Sequence, residues 1–128
     1  MKELLEKYPK AAKIVKDYYL EELIKGLKAD LPEDFKEHVR RQGVKDETLV
    51  KLIELNPRAL FSIFDEHSIY IQILLGFENL KVRGFVYEVV NGNINNTSLN
   101  KHPYFTSRLE AEKEAVKEAF SILESKLS

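Results

Sequence analysis

The chain has no cysteine and no tryptophan, one methionine, five glycines and four prolines among its 128 residues. Without cysteine there is no disulfide, no thiolate nucleophile, no Cys-type zinc site and no cysteine-held iron–sulfur cluster. An excess of either charge is also missing: 20 Lys and Arg stand against 21 Asp and Glu, a formal net charge of −1. That balance argues against a general nucleic-acid coat or a membrane-surface binder. No stretch approaches the roughly 18 consecutive apolar residues that span a bilayer. The opening Met1-Lys-Glu-Leu-Leu-Glu-Lys lacks the apolar run and small-residue cleavage site of a secretory signal. Asn95-Asn96-Thr97 and Asn96-Thr97-Ser98 match a glycosylation sequon, and with no export signal they read as a polar loop. The expectation is a cytoplasmic protein without membrane contact.

The motifs of phosphate binding and hydrolysis are absent too. There is no G-x-x-x-x-G-K-[ST], G-x-G-x-x-G, H-E-x-x-H or G-x-S-x-G. The glycines at 26, 43, 76, 84 and 92 are scattered at expected turns and helix ends, except Gly26, which reads as a close-packing position inside the first helix. His38, His67 and His102 lie apart, and the contiguous Asp65, Glu66 and His67 project in different directions. The acid pairs Glu21-Glu22, Glu33-Asp34 and Asp46-Glu47 sit on helix surfaces or first turns, where the dipole and solubility account for them. No catalytic, metal or cofactor site is expected, and the chain reads as non-enzymatic.

What is present is a core: 44% of residues are apolar and 32% charged, enough for one folded domain of this length. Residues 1–66 read as helices punctuated by proline. A short helical segment spans Met1 to Lys7. Pro9 opens a helix whose stripe is Ala11, Ala12, Val15, Tyr18, Tyr19, Leu23 and Leu27. Leu31-Pro32 opens a second that Gly43 closes, Asp46 caps a third, and Asn56-Pro57 starts a fourth carrying Leu60, Phe61, Ile63 and Phe64.

Beyond residue 66 the period changes to two. Ile69, Ile71, Ile73 and Leu75 alternate with Tyr70, Gln72 and Leu74 as a strand, broken from Gly76 to Gly84. A second strand follows with Phe85, Tyr87 and Val89 on one face, and Asn91-Gly92 is a hairpin turn signal. A third strand is expected within Asn93 to Leu99 or near Tyr104-Phe105. Ser107-Arg-Leu-Glu110 is a capping box opening a helix to about Lys126, with Leu109, Val116, Phe120, Leu123 and Leu127 as its buried stripe. The fold class is α+β: a helical N-terminal half (1–66), then a two- to three-stranded antiparallel sheet under a long C-terminal helix (67–128), together one domain.

Between Lys81 and Arg108 the charges are mainly basic and interleave with aromatics. Such a patch could track a phosphate backbone or anchor a protein partner, although aromatics facing the core are the commoner outcome. The candidate partner-binding residues are Arg83, Tyr87, Lys101, Tyr104 and Arg108.

The order helix–strand–strand–helix, ending Phe105-Thr-Ser-Arg-Leu-Glu-Ala-Glu-Lys-Glu-Ala, resembles a double-stranded RNA-binding domain in its serine-capped, alanine-bearing last helix. Those domains carry lysines at the start of that helix; here Glu110 and Glu112 stand beside Arg108 and Lys113. The ending Tyr104-Phe105-Thr-Ser-Arg-x-Glu-Ala-Glu-x-Glu-Ala-x-x-x-Ala-Phe-x-Ile-Leu-Glu is also similar, over roughly the last half of the chain, to small accessory proteins of bacteriophages and mobile elements, notably of Bacteroidota. That resemblance implies a protein without a catalytic centre that binds and blocks a host protein such as a defence nuclease, as anti-CRISPR inhibitors do. The expected function is protein binding. A small RNA- or DNA-binding module is the second reading, and a self-assembling homodimer through the Tyr18-Tyr19 helix or the sheet edge is the third.

Overall fold

The computed structural model describes residues 2–26, 32–92, 94–100 and 104–128, with Asn100 described by its backbone only. Its elements are α1 (Lys2–Lys7), α2 (Pro9–Lys25), α3 (Glu33–Gln42), α4 (Asp46–Leu55), α5 (Phe61–Asp65), β1 (Ile69–Glu78), β2 (Lys81–Asn91), β3 (Ile94–Thr97) and α6 (Arg108–Leu127). The fold is α+β, with a helical N-terminal half, a three-stranded antiparallel sheet in the order β1-β2-β3, and the long C-terminal helix lying on the sheet. No helix among the described residues is long and apolar enough to cross a membrane.

One hydrophobic core draws on both halves: Val15, Leu49, Phe64, Ile69, Val89 and Phe120 are all inaccessible to solvent. Phe64 and Phe120 meet edge to face with ring centres 5.5 Å apart, an arrangement favoured by the ring quadrupoles. Pro9 starts α2 as expected, but Tyr8 before it has no capping side chain. The cap comes from α6, where the Glu124 carboxylate accepts the backbone N–H groups of Lys10 (3.1 Å) and Ala11 (3.0 Å). An acid at a helix start satisfies otherwise orphaned donors and the dipole together. Ser107 caps α6 as the pattern predicts, accepting the Glu110 N–H at 3.1 Å.

Several details differ from the sequence reading. The Asn56-Pro57 segment is a 3-10 turn (Pro57–Leu60) before α5 begins. Leu109 and Leu127 at the ends of α6 are exposed, while Ala111 and Glu112 are buried in their place. Glu112 is held by Arg58 at 2.8 Å. Gly76 to Gly84 does not break the sheet: β1 continues to Glu78, and Asn79-Leu80 alone turns the chain into Lys81. At the second hairpin Asn91 pairs with Ile94, so Gly92 opens the turn, at φ +61°. Both expected sites of a third strand are used. Ile94–Thr97 forms β3, and Phe105 makes a separate bridge to Phe85.

Candidate interaction surface

Of the candidate residues described, Arg83 and Tyr87 lie on β2, Tyr104 packs against the sheet and Arg108 begins α6. Tyr87 is 4% exposed, on the core face of β2, stacked on Phe105 with ring centres 6.0 Å apart. Its strand parity turns the ring toward α6, so Tyr87 belongs to the core and does not offer its ring to a partner as the sequence reading expected. Burial, then the nearby carboxylates of Glu118 and Glu114, pushes its hydroxyl up to about 12. Arg108, at the start of α6, lies over the Phe85 ring at 5.4 Å. Lys101 lies outside the described residues, as does His102.

Arg83 occupies an irregularity in the first hairpin. Gly76 pairs with Gly84 and Phe77 with Val82, leaving Arg83 as the extra residue of a bulge on β2. Its guanidinium approaches Glu78 at 3.7 Å, a half-exposed pair of little energetic weight. Tyr104 is placed by the two facing glycines. A Cβ on Gly76 would stand 2.3 Å from its ring, and one on Gly84 would stand 3.0 Å from its Cβ. The ring therefore lies across the glycine pair on the sheet face opposite α6, its hydroxyl donating to the Phe77 carbonyl at 3.3 Å. This is an aromatic side chain filling the space that strand glycines leave. The signal in the sequence was the pair Gly76 and Gly84, whose juxtaposition needed the hairpin register.

The structure brings forward a different set of residues. Leu74, Leu75, Phe77, Leu80 and Val82 are all exposed toward the end of the β1–β2 hairpin. Phe77 is 58% and its cross-strand partner Val82 55% exposed, while Leu80 at the tip is 99% exposed. Asn79 (φ +52°) and Leu80 (φ +65°) both adopt the left-handed conformation of a tight two-residue hairpin. Asparagine tolerates that conformation; leucine there is strained.

Other concavities are open surface grooves. One of about 420 Å³ runs between α2 and α3, lined by Leu20, Leu23, Phe35 and Val39 beside His38. Among the described residues no three His, Asp or Glu side chains gather as metal ligands, and no buried side-chain nitrogen or oxygen lacks a hydrogen bond. Comparison with protein-family models, curated proteins and solved structures finds no match for the chain.

Proposed function

We propose that the protein is a non-enzymatic interaction module that binds another protein through the end of its first hairpin. The observation that carries this reading is Leu80. An L-residue in the left-handed region costs roughly 1–2 kcal/mol, and glycine would relieve that cost. At the second hairpin the chain does place glycine at positive φ. At the first it holds a fully exposed leucine there, flanked by exposed Phe77 and Val82. Strain retained at an exposed apolar tip that stabilises nothing internally is characteristic of a recognition site.

The basic groups favour a protein over a nucleic acid. Arg83 is beside Glu78, Arg108 lies over Phe85, and the aromatic rings of Tyr87 and Tyr104 pack on the sheet rather than standing free to stack on bases. The finer reading, a phage-encoded inhibitor of a host defence nuclease, rests on the resemblance of the C-terminal half and belongs to the same proposal.

The test is affinity capture from a bacterial lysate on the immobilised full chain, with and without nuclease, comparing wild type with Leu80→Asp and Phe77→Asp. A protein retained by wild type after nuclease and lost from both variants supports the proposal. Capture that nuclease abolishes, or that both folded variants keep, overturns it.

A further inference from the structure

Five of the six α-helices anchor themselves in the core: α1 through Leu5, α2 through Val15, α4 through Leu49 and Ile53, α5 through Phe64 and α6 through Phe120. Helix α3 places no side chain there and has no buried residue. Its sequence, EDFKEHVRRQ, has two apolar residues, Phe35 and Val39, four apart and so on one face. They face Leu20 and Leu23 of α2 across the groove of about 420 Å³, so the contact between the two helices is loosely filled. Leu20 is buried there, yet it is not part of the core cluster. Among the described residues the other tie between α3 and α2 is the ion pair of Arg40 with Glu21 at 3.2 Å, largely exposed and of little energetic weight.

The two ends of α3 do not fix it more firmly. Pro32 at its start supplies no side-chain cap. Gly43 follows its last turn at φ +69°, with nothing within 4 Å of where a Cβ would stand. The next firm attachment is Asp46, whose carboxylate is held by Lys16 of α2. A helix of ten residues is too short to persist in water without packing, so lifting α3 from α2 and unwinding it are one event.

We propose that α3 is a hinged cover, which opens by local unfolding while the core stays intact. The chain swings at Gly43 to Lys45, and α4 keeps its place through Leu49 and Ile53. Opening uncovers Leu20 and Leu23 of α2 together with Phe35 and Val39, turning a covered apolar surface into an exposed one.

Hydrogen exchange of the full chain, read by mass spectrometry over a series of low urea concentrations, tests this. The α3 amides are expected to be protected, but to exchange by an opening almost independent of urea, while those of α4 and α6 exchange through the steeply urea-dependent global unfolding. Phe35→Ala separates docking from intrinsic helicity, because alanine is the better helix former. If α3 is held by its contact with α2, this variant exchanges faster in α3. Glu21→Arg, which sets like charge against Arg40 without altering α3 itself, should quicken α3 exchange about two- to fivefold and leave α4 and α6 unchanged. Exchange of α3 in step with α4 and α6, at the same urea dependence, overturns the proposal. So does α3 exchanging at the rate of a free peptide, or more slowly in Phe35→Ala. Leu80→Asp leaves α3 exchange as in wild type, which keeps this test apart from the capture experiment.

Discussion

Replacing Leu80 with glycine should make the protein more stable and less able to bind its partner. The side chain is 99% exposed, so its removal forfeits no buried contact. The backbone sits at φ +65°, where an L-residue costs roughly 1–2 kcal/mol. Glycine relieves that cost but returns roughly 0.5–1 kcal/mol through the greater freedom of the unfolded chain. The net expectation is a gain of about 1 kcal/mol, seen as a higher urea midpoint at unchanged slope and a Tm rise of about 3–5 °C. Leu80→Ala separates the two effects. It keeps the Cβ and hence the strain, so its stability should stay within about 0.5 kcal/mol of wild type, yet it removes the apolar group offered to a partner. Both variants should lose capture. A Leu80→Gly protein less stable than wild type would show that the side chain supports the fold, and the strain argument would fail. A more stable variant that captures as well as wild type would refute the functional half.

Gly76→Ala should cost about 1–3 kcal/mol in urea unfolding, because its Cβ would stand 2.3 Å from the Tyr104 ring. In a Tyr104→Ala background that cost should largely vanish, and additive losses in the double-mutant cycle would refute the ring-over-glycine packing. Glu124→Ala should lose about 1–2 kcal/mol, because it uncaps α2 from 114 residues away; Glu124→Gln, which keeps an acceptor, should lose less. Tyr87 ionises near 12 in the folded protein against 10.0 when unconstrained, so the unfolded chain releases this proton first as pH rises. Its contribution to stability is thus complete below pH 10 and is lost between about pH 10 and 12, with phenolate absorbance for this residue lagging the exposed tyrosines. A Tyr87→Phe variant whose alkaline unfolding matches wild type would contradict this.

Much of the architecture was legible because it is written in local chemistry. Pro9, Ser107 and the acids at Glu33 and Asp34 act through the backbone of their own helix, so their spacing alone locates the helix starts. The alternation of Ile69, Ile71 and Ile73 likewise marked the core face of β1. The first hairpin was hidden because its turn is Asn79-Leu80, and a leucine at positive φ contradicts the residue preference by which such turns are recognised. With that turn unread, the register was unread, and so was the pairing of Gly76 with Gly84 that positions Tyr104.

Composition and periodicity by themselves determined the fold class, the order of helices before sheet, and the exclusion of disulfide and thiolate chemistry. Both classes of information are local or additive, so they survive without knowledge of distant contacts. Tertiary structure alone decided which aromatic residues face inward and which apolar ones remain outside. Tyr87 and Phe77 are both aromatic residues of the β1–β2 hairpin. The difference is that Tyr87 is 4% exposed and stacked on Phe105 whereas Phe77 is 58% exposed near the hairpin turn, and what covers a strand residue is set by packing between segments far apart in the chain.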